Sequence, residues 1–243
     1  MAGSDCSGGA GIQADLKAFS ANETFGMSVI TSVVAENTTR VLSVFNVPVE
    51  EIQKQIDAVF EDIHVDAVKL GMLPTAEIIS AVADKLNEYK PSIIVCDPVM
   101  VATSGDALSE GGTVSTMREK LFPIVTLLTP NIPEAEAISG LEIKNENHME
   151  KAARIIMDMG VKNVLVKGGH LTGDAVDYLC TPEGVHKLVC KRVDSPNTHG
   201  TGCTLSSAIT ANLAHGMDML SAVTKAKNYI TEAIEKSFTV GKG

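Results

Sequence analysis

The residues best suited to chemistry lie in one short stretch, His199-Gly200-Thr201-Gly202-Cys203-Thr204. We call residues 199–204 the second glycine turn. Its two glycines allow a tight bend, and the small and apolar residues 205–214 predict a helix that begins there. The free N–H groups and the positive dipole end of such a helix would form an anion hole. At this position we expect the thiol pKa of Cys203 to fall, which would make the thiolate available as a base or nucleophile. A buried structural cysteine is the alternative.

A second group of polar residues follows the predicted strands. Asn131 and Glu134 stand three positions apart at a predicted helix start, so both can face one pocket, and oxygen ligands of this kind suit Mg²⁺. Lys167, followed by Gly168, places a cation where it could hold a transferring phosphoryl group. Asp97 could orient water or Mg²⁺. Each residue also has a structural alternative, namely a helix cap, a solvated lysine or a turn initiator.

Candidates to bind a small polar acceptor lie nearer the start of the chain. A first glycine turn (residues 3–11) leads into a predicted helix that contains Asp15, and Glu36 ends a predicted strand. Met72 could cover an aromatic ring through a sulfur–π contact, although a packed loop residue is equally consistent with the sequence.

Strands and helices alternate along the sequence, which predicts right-handed βαβ units in a doubly wound α/β sheet flanked by helices. No linker or repeat divides the chain, so we expect one domain over residues 1–243. The polar residues described above fall at the carboxyl ends of the strands, where such sheets bind ligands. The predicted strands are residues 27–35, 66–73, 93–99, 125–129 and 163–167, with a hairpin at 175–180 and 185–190.

Composition limits the possible partners and compartments. The formal net charge of −10 argues against nucleic acid, which is bound by basic patches. Five scattered cysteines without a C-x-x-C pair favour reduced thiols and a cytoplasmic protein. The sequence shows neither a membrane span nor a signal peptide.

Taken together, the motifs closely resemble the hydroxymethylpyrimidine/phosphomethylpyrimidine kinases of the ribokinase-like superfamily. They occur in the family's order over nearly the whole chain. The matching segments are residues 2–5 (AGSD), 7–15 (SGGAGIQAD), 71–73 (GML), 97–99 (DPV), 129–131 (TPN), 133–135 (PEA), 167–170 (KGGH) and 198–203 (THGTGC).

The resemblance implies a fold and an activity. The fold would be a three-layer α/β/α arrangement with a mostly parallel central sheet. The enzyme would use MgATP to phosphorylate 4-amino-5-hydroxymethyl-2-methylpyrimidine and then its monophosphate, for thiamine biosynthesis. Relatives are often dimers, so the resemblance also implies a homodimer.

The resemblance implies residue roles as well. Cys203 would be the catalytic base, and the anion hole would be formed by Gly200, Thr201 and Gly202. Lys167 and Gly168 would contact phosphate, with Thr201 and Asn131 at the nucleotide. Glu134 and Asp97 would serve Mg²⁺. The pyrimidine pocket would contain Gly3, Asp15, Glu36 and Met72.

The sequence departs from the family pattern in three places. We expect the strand before AGSD and the glycine-rich tail after the last helix both to be cut short, so that strand one and part of the nucleotide pocket are missing. Glu36 also stands where glutamine is frequent. A carboxylate can accept a hydrogen bond from an amino group but donates to a ring nitrogen only when protonated.

Four alternatives remain open at this point. A pyridoxine or pyridoxal kinase on the same fold is the nearest. A dinucleotide oxidoreductase would use Gly9, Gly11 and Ala14 as its phosphate fingerprint and Glu36 for a ribose. A cysteine hydrolase would use Cys203 with His199 or His170. A nucleotide-binding regulator without turnover is the last.

Overall fold

The computed structural model describes residues 1–100, 112–169 and 174–242. His170, which belongs to one of the motifs, lies outside these ranges. The strands are β1 (Ala2–Asp5), β2 (Ile30–Glu36), β3 (Val41–Asn46), β4 (Val68–Leu70), β5 (Ile94–Cys96), β6 (Leu127–Leu128), β7 (Val164–Val166), β8 (Ala175–Thr181) and β9 (Gly184–Cys190).

Helices connect most of these strands. They are α1 (Gly11–Ala21), α2 (Val49–Phe60), α3 (Ala76–Tyr89), α4 (Thr113–Thr116), α5 (Ile132–Ser139), α6 (Glu146–Asp158), α7 (Thr201–Ala214) and α8 (Met219–Glu235). A π-helical turn (Met117–Leu121) and a 3₁₀ turn (Phe122–Ile124) extend α4. Within the described residues, no helix is long and apolar enough to cross a membrane.

Two hydrogen-bonded sheets form the middle layer, in the orders β1-β2-β3 and β4-β5-β6-β7-β8-β9. Neighbours from β4 to β7 are parallel, as are β1 and β2, whereas β3, β8 and β9 run antiparallel to their neighbours. Met1 joins the two sheets, because its amino group donates to the Lys69 carbonyl at 2.8 Å and its carbonyl accepts from Gly71 N–H at 2.9 Å. The mostly parallel sheet of the sequence prediction is confirmed.

Successive side chains of the central strands pack alternately into two separate apolar clusters, one on each face of the sheet. Ile94, Cys96 and Leu128 face a cluster that includes residues of α2, α3, α5 and α6. Val95 and Leu127 face the opposite cluster, which is built with α7 and α8. Strands that bury both faces read as continuous apolar runs, which is why the sequence located them. The arrangement is the expected α/β/α sandwich.

The sequence analysis placed residues 3–5 in the first glycine turn, whereas Ala2–Asp5 form the four-residue strand β1, which pairs in parallel with β2. Strand β1 was not predicted because Gly3 and Ser4 are poor strand formers in isolation, whereas pairing with β2 holds them extended. Strand β3 was not predicted either, since most of its side chains are exposed and it packs on only one neighbour.

Candidate active site

Asp5 organises the first glycine turn at the carboxyl end of β1. Its buried carboxylate accepts hydrogen bonds from the N–H groups of Ser7, Gly9 and Ala10 at 2.7, 3.0 and 2.8 Å, and from the Ser7 hydroxyl at 3.0 Å. Burial raises the pKa of Asp5, but these hydrogen bonds and the one to His199 together lower it by more. The pKa of Asp5 therefore lies below its usual value. The turn is therefore held rigidly where α1 begins.

The two glycine turns are packed backbone to backbone. Gly200 has a positive φ of 78°, and a Cβ atom there would lie 1.8 Å from the Gly9 carbonyl oxygen. The His199 imidazole Nε2 lies 3.0 Å from an Asp5 carboxylate oxygen and links the same two segments. Helices α1 and α7, which start at these turns, pack against each other. Their N-termini consequently converge on one region.

Lys167 and Asp97 meet beside the second glycine turn. The Lys167 ammonium lies 2.7 Å from Asp97 Oδ1, and the same oxygen accepts from the Thr129 hydroxyl at 2.9 Å. A Cβ atom on Gly202 would lie 3.3 Å from Asp97 and 3.4 Å from the Lys167 ammonium. The fold thus places a cation and a carboxylate against the predicted anion hole, as the sequence suggested. Thr129 was not singled out, because a threonine at a strand end carries no signal of its own.

Asn131 and Glu134 form a reciprocal capping box at the start of α5. The Asn131 side chain accepts from Glu134 N–H at 2.9 Å, and the Glu134 carboxylate accepts from Asn131 N–H at 2.8 Å. The pKa of Glu134 is raised to about 7, because burial and the neighbouring Asp97 raise it by more than Lys167 and the Asn131 N–H lower it. Asn131 and Glu134 therefore do cap a helix, which was the structural alternative for this motif. The causes of the raised pKa show that Glu134 also faces Asp97 and Lys167.

A divalent cation fits this donor set. Glu134 and Asp97 are two buried carboxylates that share one ammonium, Lys167, so the cluster favours added positive charge. Oxygen donors of this type are those that Mg²⁺ accepts, usually with water and phosphate oxygens completing its shell. The residues present are consistent with the magnesium role predicted for them.

Cys203 lies in the first turn of α7 and is partly exposed. Its thiol pKa is raised, contrary to the sequence prediction, because burial disfavours the thiolate and Asp15 and Asp97 add to the effect. The Lys69 ammonium and a hydrogen bond from Gly11 N–H oppose the rise. A helix N-terminus alone therefore does not activate this thiol.

Two of the predicted acceptor residues are brought together. A Cβ atom on Gly3 would lie 3.1 Å from the Met72 sulfur, and the Met72 carbonyl accepts from the Thr31 hydroxyl at 2.8 Å. Glu36 is nearby in the fold, at the end of β2, which pairs with β1. One ligand atom from each of Asp5, Glu36 and His199 lies within 4.8 Å of the others. Since Asp5 is committed to its turn, this cluster is not a free metal site.

Asp15 is placed differently from a pocket-lining residue. Its buried carboxylate receives the Lys69 ammonium at 2.7 Å and the Ser207 hydroxyl at 2.8 Å, both on Oδ1. Sequence reasoning missed Lys69, although a lysine between Val68 and Leu70 in an apolar strand was a usable signal, because a buried lysine needs a partner.

Gly168 and Thr201 have identifiable structural tasks. A Cβ atom on Gly168 would lie 1.8 Å from the Val176 carbonyl oxygen, and its N–H donates to Asp177 at 2.9 Å. The Thr201 hydroxyl donates to the Thr198 carbonyl at 2.9 Å. Both residues shape the backbone beside Lys167 and the second glycine turn.

A cavity of about 250 Å³ lies at the other edge of the sheet, among Met1, Val29, Phe60, Val65 and Val68. These residues stand at or before the starts of β1, β2 and β4, whereas the polar residues described above stand at strand ends. The cavity is mainly apolar, and its lining includes none of Asp97, Glu134, Lys167 and Cys203, so it is not the candidate site.

Comparisons with known proteins identify the family. Residues 5–243 match the phosphomethylpyrimidine kinase family. The thiamine biosynthesis bifunctional protein ThiED of Geobacter sulfurreducens is 50% identical over 244 residues, covering 100% of this chain; the chain spans 50% of that relative's length. The hydroxymethylpyrimidine/phosphomethylpyrimidine kinase of Haemophilus influenzae is 44% identical over 248 residues, covering 100% of this chain and 92% of the relative.

Structural similarity points to the same superfamily. The crystal structure of an ADP complex of Bacillus subtilis pyridoxal kinase superposes with a TM-score of 0.92 at 40% identity, covering 99% of this chain and 92% of that one. The fold is ribokinase-like, a fold of small-molecule kinases. The chain belongs to the phosphomethylpyrimidine kinase family.

Two alternatives lose their support at this point. A nucleophile elbow needs a strand directly before the cysteine, but β9 ends at Cys190 and residues 191–200 form no strand. A hydrolase centred on Cys203 is therefore disfavoured. A dinucleotide oxidoreductase would explain only the first glycine turn. It would not explain why the second glycine turn packs against the first.

Proposed function

We propose that this protein phosphorylates the hydroxymethyl group of 4-amino-5-hydroxymethyl-2-methylpyrimidine with ATP and then phosphorylates the monophosphate to the diphosphate, in thiamine biosynthesis. The observation that carries the proposal is the junction of the second glycine turn with Lys167 and Asp97, where the predicted anion hole adjoins a partly buried cation. The relatives' names support the substrate class.

Phosphoryl transfer depends mainly on alignment and on stabilising negative charge. The N–H groups at the start of α7, residues 200–202, would bind the transferring phosphate. Lys167 would leave Asp97 for the phosphate oxygens as charge develops there. Cys203 would accept the hydroxyl proton as the new oxygen–phosphorus bond forms, and the proton would remain on its sulfur.

Glu134 and Asp97 would hold Mg²⁺, with Asn131 fixing Glu134 in place and standing beside the nucleotide. The cation would supply charge neutralisation between phosphate oxygens when it is bound. Its charge would offset the repulsion between the two buried carboxylates, which is seen in the effect of Asp97 in raising the pKa of Glu134.

The acceptor would lie between Gly3, Met72 and Glu36, with Asp15 beneath it. Burial and the neighbouring Asp5 raise the pKa of Glu36, while His199 opposes the rise. A protonated Glu36 donates a hydrogen bond as glutamine does, so the substitution relative to the family's frequent glutamine is compatible with a pyrimidine ring nitrogen.

A pyridoxal kinase of vitamin B6 salvage is the second candidate. It is favoured by the similarity to the Bacillus subtilis pyridoxal kinase structure, which has the same arrangement of elements. Both ring systems carry a hydroxymethyl group. Glu36 and Met72 would distinguish the pyrimidine ring from the pyridine ring.

We also propose a homodimer that works in the cytoplasm. Val33 and Phe45 are cross-strand neighbours of β2 and β3 and are 49% and 67% exposed. Two copies that each carry a net charge of −10 could approach on such an uncharged apolar face. Free cysteines, two of them buried at Cys96 and Cys180, are consistent with a reducing compartment.

An ADP-release assay with Mg²⁺ tests the function. The acceptors are the hydroxymethylpyrimidine, its monophosphate and pyridoxal, each compared with an acceptor-free blank. Turnover with both pyrimidines well above pyridoxal supports the proposal. A preference for pyridoxal supports the second candidate, and ADP release at the blank rate with all three contradicts both.

A further inference from the structure

Lys69 is a fully buried charge in the middle of an apolar strand. Its side chain is 1% exposed, its strand neighbours Val68 and Leu70 are buried, and its ammonium lies 2.7 Å from Asp15, which is 5% exposed. Two ions removed from water carry a large desolvation cost, and removing one partner leaves the other uncompensated. Because packing alone does not require a buried ion pair, the pair is a candidate for a further role.

The pair connects the central layer to both helices that start at the glycine turns. Lys69 belongs to β4, Asp15 to α1, and Ser207 of α7 donates to the same Asp15 oxygen at 2.8 Å. Ser207 stands four residues after Cys203, so both side chains share one face of α7. The ion pair therefore lies one helical turn below the thiol.

Asp15 also has an unused oxygen. Its Oδ2 is buried and finds no hydrogen-bond partner among the described residues. Lys69 and Ser207 both bind Oδ1, so they fix the carboxylate in one orientation and leave Oδ2 as its unsatisfied acceptor. A carboxylate fixed in this way, with one free acceptor oxygen, is suited to a role beyond packing.

Among the described residues, four charged side chains face Cys203: Lys69 in β4, Asp15 in α1, Asp97 after β5 and Lys167 after β7. Lys69 lowers the pKa of the thiol and Asp15 and Asp97 raise it, against the background of burial, which raises it most. The Gly11 N–H from the first glycine turn also lowers it. Lys69 is the largest of the influences that favour the thiolate.

We propose that Lys69 is a positioning residue for phosphoryl transfer: its ammonium orients Asp15 and stabilises the Cys203 thiolate before that thiolate accepts the hydroxyl proton. The inference rests on the proposed role of Cys203 as proton acceptor. The thiol first releases its proton to solvent. The thiolate then takes the acceptor's proton while the bond from the acceptor oxygen to phosphorus forms and the bond to ADP breaks.

The test measures the rate of iodoacetamide alkylation of Cys203 as a function of pH, resolved by peptide mass spectrometry in protein without nucleotide. Lys69→Met should raise the apparent pKa of Cys203 by about one unit or more. Asp15→Asn should lower it. Lys69→Arg, which keeps the charge, should stay closer to the wild type than Lys69→Met does. Cys190, at the end of β9, serves as the internal control and should not change.

Shifts of opposite sign would show that both charges act on the Cys203 thiolate, whereas a pair that only packs, without influence on the sulfur, would shift neither profile. Since Lys69→Met leaves Asp15 buried without its cation, the double variant Lys69→Met/Asp15→Asn provides a neutral pair of similar shape. The difference in the apparent pKa of Cys203 between this double variant and Asp15→Asn measures the effect of Lys69 a second time. Circular dichroism tests whether each variant is folded. An unchanged Cys203 profile in both comparisons, or shifts of the same sign for both single variants, would overturn the proposal.

The readout separates this inference from the proposed function. Alkylation requires no turnover, so the Lys69 effect is measurable even if no pyrimidine is phosphorylated. Conversely, if the protein phosphorylates the pyrimidine but the apparent pKa of Cys203 is the same with and without Lys69, the proposed function stands and only this inference is refuted.

Discussion

The Lys167 ammonium and the Asp97 carboxylate form an ion pair with a separation of 2.7 Å, although the two residues are 70 positions apart in the chain. Burial lowers the pKa of Lys167, but Asp97 and Glu134 raise it by more, so the residue stays charged. An ammonium that is held beside an anion hole without nucleotide needs little reorganisation when a phosphate arrives.

Replacing Lys167 with Met should therefore reduce kcat by about 10²- to 10³-fold, the usual cost of losing one preorganised donor. Acceptor affinity, measured by calorimetry, should change only a few-fold, because the acceptor residues lie on β1, β2 and the β4 end. Lys162→Met is the matched control, since that lysine is exposed just before β7. Equal losses in kcat and in acceptor affinity would contradict a transition-state role.

Replacing Gly200 with Ala should destabilise the protein more than replacing Gly216. Both glycines have a positive φ, 78° and 82°, so alanine carries a backbone cost of about 1 to 2 kcal/mol at either position. Only at Gly200 would the added carbon also collide with the Gly9 carbonyl, while a Cβ atom on Gly216 would meet no described atom within 4 Å outside its chain neighbours. Urea unfolding measures both, and equal losses would show that the two glycine turns are not in contact.

Glu36 should make stability depend on pH. Its pKa in the folded protein lies above the ordinary 4.5. Its stabilising contribution is full below pH 4.5 and is lost as the pH rises through the higher folded value. Glu36→Gln should therefore flatten this part of the profile of unfolding free energy against pH, whereas the exposed-site control Glu50→Gln should leave it intact. Because the raised pKa of Glu134 adds a slope of the same sign, the test is the difference between the two proteins: a Glu36→Gln slope equal to that of the wild type would refute the assignment.

The exposed β2–β3 face predicts the oligomeric state. Phe45→Lys should convert a dimer to a monomer in sedimentation equilibrium, because two lysines would meet across a two-fold axis. Phe25→Lys is the control, as Phe25 is 81% exposed elsewhere on the molecule. A wild-type monomer, or a dimer that tolerates Phe45→Lys, would be inconsistent with this interface.

The fold and the meeting of Lys167 with Asp97 were predictable because their signals are local. Apolar strand runs, helix spacing and glycine turns located the elements, and the carboxyl-end rule placed Lys167 and Asp97 on the same edge. Contacts that depend on the folded chain were not predictable. Nothing in the sequence pairs Lys69 with Asp15, and the balance between burial and the helix N-terminus at Cys203 could not be weighed without the packed neighbours.

Product analysis by mass spectrometry tests the central claim most directly. Wild type and the matched control Cys190→Ala, given ATP, Mg²⁺ and the hydroxymethylpyrimidine, should form first its monophosphate and then its diphosphate. Cys203→Ala should form both at least about 10²-fold more slowly, the usual contribution of a general base, while ATP affinity changes only a few-fold. Absence of any phosphorylated pyrimidine with wild type, or a Cys203→Ala variant that matches it, would contradict the account.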